Sequence, residues 1–218
     1  MTDKEYKKQI RKALRLYAIT DRYWLNGAKL SDQVEDVLKN GATFLQLREK
    51  SFNHKEMVEE AREIQKLAKA YQVPFVINDD IMAAKEIDAD GVHIGQSDME
   101  YSKARQILGE DKIIGVSAGN LSEAARAEQM GADYIGIGAI FHTDTKEDAK
   151  DMSRETLLQI TSAVHIPIVA IGGITQENMS YLKDTGVDGI SVISAIFGAK
   201  DPGQATAALL EKTKEVFR

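Results

Sequence analysis

Gly41-Ala42-Thr43-Phe44-Leu45-Gln46-Leu47-Arg48-Glu49-Lys50 ends a helix, opens a strand and finishes in charge. Glycine at the first position suits the left-handed backbone that stops a helix before the chain turns into a sheet. The opening of this stretch returns as Asp88-Ala89-Asp90, Gly131-Ala132-Asp133 and Gly186-Val187-Asp188, at intervals of 47, 43 and 55 residues. Each interval has room for two strand–helix units. Between these marks, short runs rich in Val and Ile alternate with amphipathic stretches, the order of parallel strands joined by helices. The runs predict strands over 16–21, 43–50, 74–79, 91–95, 112–117, 133–141, 167–173 and 188–194. Apolar residues at helical spacing predict helices over 55–71 and 155–164, and a last helix over about 204–216.

Eight consecutive βα units close naturally into a (β/α)8 TIM barrel, a fold of about 250 residues with about 200 at its lower end. The 218 residues of this chain form a compact version, a single α/β domain over 1–218 with residues 2–15 as an extra N-terminal helix. An open doubly wound sheet would want a glycine-rich turn after its first strand. Thr20-Asp21-Arg22-Tyr23 does not supply one.

Composition narrows the function. With 28 basic and 34 acidic side chains the formal charge is −6, which argues against a nucleic-acid partner. The 43% hydrophobic share supports a sizeable core. No apolar run is long enough to span a membrane, and residues 1–15 are polar and charged rather than a secretory segment, so a cytoplasmic location is expected. The absence of cysteine removes disulfides, thiolate metal sites and cysteine nucleophiles. A homo-oligomer is compatible with the sequence, which does not fix the oligomeric state.

In a barrel of this kind the C-terminal strand ends and the loops after them form the active face. A period of two puts Gln46, Arg48 and Lys50 on the inward side and Leu45 and Leu47 toward the helices. The two cations could serve structural ion pairs, but with an amide stacked beside them they favour an anion with several oxygens. Asp79 and Asp98, at the ends of adjacent strands, are a reasonable pair for a hard cation such as magnesium. Asp80 reads better as a helix cap. Ser117 could donate to a phosphate or simply form a local turn. The sixth strand carries small residues and runs into Thr143-Asp144-Thr145-Lys146, two hydroxyls and an ammonium, for which a ligand is the favoured role. Gly172-Gly173 and Ile193-Ser194 follow strands seven and eight, where backbone amides often bind phosphate. His54, His93, His142 and His165 lack metal-ligand spacing and read mostly as surface or packing residues. Met57, Met130, Met152 and Met179 read as packing.

Taken together, Gln46-Leu47-Arg48-Glu49-Lys50, Asn78-Asp79-Asp80, Gly115-Val116-Ser117, Thr143-Asp144-Thr145-Lys146, Gly172-Gly173 and Ile193-Ser194 closely resemble the thiamine phosphate synthase family, in the family's order and over nearly the whole chain. The resemblance implies a transferase that joins a hydroxymethylpyrimidine diphosphate to a thiazole phosphate, or its carboxylated form, and releases pyrophosphate. It implies that Gln46, Leu47, Arg48, Glu49, Lys50, Asn78, Ser117 and Lys146 contact the pyrimidine diphosphate. Of these, Arg48, Lys50, Ser117 and Lys146 would do the catalytic work. It further implies Mg2+ on Asp79 and Asp98, and the thiazole phosphate against Thr143, Asp144, Thr145, Gly173, Ile193 and Ser194. Two positions depart from the family pattern: Gly119, where histidine is frequent, and His142, where proline is common. A thiazole tautomerase of the same barrel family is the nearest rival, though it would need no diphosphate or magnesium apparatus. A non-catalytic regulator that binds thiamine precursors would not need the full set of charged ligands. A phosphosugar isomerase would need an acid–base pair that is not evident.

Overall fold

The computed structural model describes residues 2–25, 27–143 and 151–217. Its eight strands are β1 (Leu16–Ile19), β2 (Phe44–Leu47), β3 (Phe75–Asn78), β4 (Gly91–Ile94), β5 (Ile113–Ala118), β6 (Tyr134–Ile137), β7 (Ile168–Ile171) and β8 (Gly189–Val192). All pair in parallel in chain order, and β1 also pairs with β8, so the sheet is a closed barrel. The expected (β/α)8 fold is present, and the open sheet is excluded. Ahead of the barrel, α1 (Asp3–Ala13) is the expected extra helix. It is opened by a capping box in which Thr2 accepts from the Glu5 amide and Glu5 from the Thr2 amide.

The connecting helices are α2 (Leu30–Lys39), α3 (His54–Ala70), α4 (Ile81–Glu86), α5 (Tyr101–Leu108), α6 (Leu121–Met130) and α7 (Arg154–Ala163). After β8 come the single turn α8 (Ser194–Phe197) and the long α9 (Pro202–Val216). Between β7 and β8 the helical segment is a short 3-10 turn over Met179–Leu182 rather than an α-helix. An Asn178–Thr175 turn, in which the Thr175 amide donates to Asn178, takes up the chain there. Several strands stop short of their expected ends. In β2 the ladder ends at Leu47 because the Arg48 amide turns to the Thr20 hydroxyl instead of continuing along β1. No helix among the described residues is long and apolar enough to cross a membrane.

Strand parity sorts the core into two layers. Leu16, Ala18, Leu45, Leu47, Ile77, Val92, Ile94, Ile135 and Ile137 face the helices in one continuous apolar shell, which also takes in Met57, Met152 and Met179. Alternate residues, Tyr17, Ile19, Phe44, Val76, Ile113, Tyr134 and Val169, fill the barrel. Tyr17, Phe44 and Tyr134 meet edge to face, with ring centroids 4.5–5.9 Å apart. Gly115 makes room for them, since a Cβ there would lie 2.0 Å from Cζ of Tyr134.

The fourfold sequence echo has a mechanical cause. Gly41, Asp88, Gly131 and Gly186 all sit at positive φ, the left-handed stop of the preceding segment. Two residues later, a side-chain oxygen of Thr43, Asp90, Asp133 and Asp188 accepts from the amide of Leu16, Phe75, Ile114 and Ile168 respectively. The backbone amides of the same four residues donate to the carbonyls of those same partners. Each odd strand is thereby pinned to the next even strand at the base of the barrel. Arg105 adds an ion pair to Asp133 at 2.8 Å, and Arg11 adds one to Asp188 at 2.6 Å.

Asp133→Ala removes the partner of the Ile114 amide and of a largely buried Arg105, and a loss of about 2–4 kcal/mol is expected in chemical denaturation. Lys214→Ala, which breaks an exposed pair with Glu211, should leave the midpoint unchanged. Gly115→Ala should cost about 1–3 kcal/mol by overpacking against Tyr134, read in the same experiment.

Candidate active site

The C-terminal ends of β2 to β5 carry the densest polar grouping. Lys50, just past β2, lies 2.8 Å from the carboxylate of Asp79. Asp79 adopts φ +64°, a left-handed conformation that aspartate tolerates better than most residues. This bend turns β3 into α4 within two residues and holds the carboxylate beside Lys50, where Asn78 Nδ2 also donates to it. Asp98, after β4, accepts from the Gly95 amide at 2.6 Å. Its carboxyl is pushed above the usual range by burial first and then by the neighbouring Asp79, with Lys50 opposing. Two acidic groups thus share one corner. Arg48 is partly buried, 3.7 Å from Asp21. Asp80 caps α4 by accepting from the Ala83 amide, as its sequence context suggests.

Two members of the Gln46–Lys50 run point elsewhere. The Leu47 side chain is fully buried in the outer shell, so it has only backbone groups to offer a ligand. The Glu49 side chain is 3% exposed and pairs with Arg22 at 3.1 Å, while Arg22 also reaches Glu60 and stacks over Phe52. Burial pushes the Glu49 carboxyl up and Arg22 pulls it back. Gln46 is buried inside the barrel and donates to the Tyr17 hydroxyl.

Ser117, at the end of β5, lies 2.9 Å from Nε2 of His93 instead of closing a local turn. His93 is a site-region residue that spacing rules pass over. The signal was parity: Val92 and Ile94 face the helices, so His93 must face inward, in register with Asn78 and Gly115. The small residue at Gly136 leaves room for its ring, since a Cβ there would approach Cε1 at 3.3 Å. His54 and His165 are exposed on the outside, and His54 pairs with Glu86.

On the other side of the mouth, Gly173 at φ +59° packs its α-carbon so closely on the loop after β6 that a Cβ would lie 2.4 Å from the His142 carbonyl. Thr143 is half-buried in that loop. Asn178 donates to the Gly173 carbonyl at 2.8 Å and fixes the glycine turn. Ile193 packs on the inner core and Ser194 opens α8, exposed. Asp144, Thr145 and Lys146 lie outside the described residues. Of the two departures from the family pattern, the Gly119 amide donates to Glu123 at 2.7 Å, and the His142 side chain is exposed.

A hard, oxygen-loving cation suits the Asp79–Asp98 corner on chemical grounds. Two carboxylates crowd together and already draw the Lys50 ammonium. No group of three or more His, Asp or Glu gathers among the described residues, so water and phosphate oxygens would have to complete any cation's shell. A cleft of about 430 Å³ at the base of the barrel offers no rival. Its Arg11 is committed to Asp188 and the His165 carbonyl, and its Arg15 to the Phe217 carbonyl.

A rim of this kind, two cations, an amide, a hydroxyl and paired carboxylates over a polar interior, can hold a polyanion together with a divalent cation. Residues 16–196 match the family described as thiamine monophosphate synthase. A thiamine-phosphate synthase of Clostridium novyi is 51% identical over 196 residues, covering 89% of this chain and 96% of that protein. One from Methanobrevibacter smithii is 47% identical over 201 residues, covering 92% and 96%. The solved structure of thiamine phosphate pyrophosphorylase from Pyrococcus furiosus superposes with a TM-score of 0.89 at 40% identity, covering 96% of this chain and all of that one. The barrel, its polar mouth and these relatives lead to one conclusion: this chain belongs to the thiamine monophosphate synthase family.

Proposed function

We propose that this chain is a transferase that joins 4-amino-5-hydroxymethyl-2-methylpyrimidine diphosphate to a thiazole phosphate, forming thiamine monophosphate and releasing pyrophosphate. The observation that carries this reading is the Lys50–Asp79–Asn78 contact set beside Asp98, at the ends of three adjacent strands. A tautomerase acting on a thiazole phosphate alone would have no use for it.

The chemistry asks for little proton transfer. If the bond from the pyrimidine methylene to the diphosphate oxygen breaks first, the electron pair leaves with pyrophosphate and the ring amino group stabilises the cation. The thiazole nitrogen then supplies the pair for the new carbon–nitrogen bond and has no proton to lose. A general base is unnecessary. What the site must supply is fixed positive charge and hydrogen-bond donors where negative charge grows on the leaving group. Arg48 and Lys50, just past β2, and Ser117, in β5, would supply these, together with Asn78, which donates to Asp79, and Lys146 is assigned by family pattern. Asp79 and Asp98 would hold magnesium, which when bound neutralises charge on the departing diphosphate. Thr143, Gly173, Ile193 and Ser194 would receive the thiazole phosphate, together with Asp144 and Thr145. Both substrates are small and soluble, in keeping with a cytoplasmic enzyme. The net negative charge is no obstacle, because the field that acts is local.

Purified protein should release pyrophosphate only when both substrates and magnesium are present. Release with the thiazole phosphate omitted, or undiminished by a chelator, would contradict the condensation or the metal role respectively. Asp79→Ala and Lys50→Ala should each lower kcat by about a hundredfold, or ~3 kcal/mol, with the folded far-UV spectrum retained. Near-normal rates in both would remove the site from the argument.

A further inference from the structure

The barrel interior holds an unbroken chain of hydrogen bonds beneath the mouth. Gln46 Nε2 donates to the Tyr17 hydroxyl, which lies 2.8 Å from the Tyr134 hydroxyl. Tyr134 is 3.0 Å from Nδ1 of His93, and Nε2 of His93 is 2.9 Å from Oγ of Ser117. Gln46, Tyr17 and Tyr134 are each at most 1% exposed. Their protons therefore cannot be left to water, and each needs an acceptor in the chain. Burial drives both phenols well above their ordinary titration range, so both keep their protons.

These constraints set a direction. The Tyr17 oxygen already accepts from Gln46, so its own proton goes to Tyr134. The Tyr134 proton then goes to Nδ1 of His93, which must be the bare nitrogen of a neutral ring. Nε2 consequently carries the hydrogen and donates it to Ser117. With its oxygen so occupied, Ser117 keeps its own proton to give. With the Gln46 amide nitrogen facing Tyr17, the opposite direction would have Tyr17 accept from both neighbours and leave a buried O–H without an acceptor, at a cost of about 1–3 kcal/mol.

We propose that the buried chain Gln46–Tyr17–Tyr134–His93 fixes the Ser117 hydroxyl as a hydrogen-bond donor toward a diphosphate oxygen at the mouth. Tyr134 and His93 are thus positioning residues for the reaction. This rests on the reading of Ser117 as a contact of the diphosphate substrate. Gly115 and Gly136 are part of the same device, because they clear the space that the Tyr134 and His93 rings occupy. A donor held in this state needs no reorientation as charge builds on the leaving group.

Two measurements test the proposal separately from the reaction assignment. In protein labelled with 15N-histidine, His93 should give the signature of the neutral Nε2–H form, and Tyr134→Phe, which keeps the ring but removes the O–H, should perturb it. The Nδ1–H form in the wild-type protein would overturn the proposal whether or not the enzyme turns over the substrates named above. In the two-substrate assay, His93→Leu and Tyr134→Phe should lower kcat at least about tenfold with KM little changed. His93→Gln, whose amide can donate to Ser117, should recover part of the loss. In a Ser117→Ala background, His93→Leu should have no further effect. An equal additional loss there, or a normal kcat in Tyr134→Phe, would show that the chain does not act through Ser117. Absence of turnover in the wild-type protein would instead refute the reaction assignment and leave the tautomer test standing.

Discussion

Pairing of β1 with β8 is the constraint on which the other features depend. Once the last strand bonds to the first, no strand has a free edge and every strand end must lie on one of two rims. Parity then has a single meaning around the ring, with neighbours in register facing inward together: Asn78 beside His93, His93 beside Gly115, Ser117 beside Gly136. The four side-chain pins at the base hold this register. A slip of one residue would bring Leu47 and Ile77 into the barrel and turn Gln46 and Asn78 to the helices.

The two ends of the barrel spend polar groups differently. At the base, Thr43, Asp90, Asp133 and Asp188 satisfy backbone amides, and their cations Arg105 and Arg11 are held by the fold itself. At the mouth, Lys50, Asp79 and Asp98 are gathered more tightly than stability requires. Burial already raises the Asp98 carboxyl before Asp79 adds to the strain. Structural economy would have placed apolar residues there, and their absence is consistent with a ligand that brings both negative charge and a cation. Between the two ends lies the phenol–imidazole chain, polar yet hydrogen-bonded from Gln46 through to Ser117. Such a network can rigidify a core instead of weakening it, because each buried donor has an acceptor.

The fold was legible because its signals are local and repeated. Four helix stops, each followed two residues later by Thr or Asp, mark quarter-barrels, and alternation within strands such as Gly91-Val92-His93-Ile94 marks which side faces in. The caps were legible for the same reason: Asp80 lies next to the helix it starts. The 3-10 turn over Met179–Leu182 was not foreseen, since a one-turn segment is too short to develop a helical period. Among the candidate ligands, spacing brought out Arg48, Lys50, Asp79 and Asp98 as charged strand ends. It could not show that Glu49, one residue from either cation, turns away to Arg22 and Glu60, because both partners belong to other segments.

The sequence by itself determined the strand count, the inward and outward faces, the helix stops and the family, since each follows from residues close together or from motifs read in order. Only the tertiary structure decided which polar residues touch. His93, Tyr134, Tyr17 and Gln46 come from four different strands, separated by up to 117 positions in the Tyr17–Tyr134 contact. No local pattern links them. Barrel closure brings them within hydrogen-bond distance, and burial then obliges Gln46, Tyr17 and Tyr134 each to pair with the next.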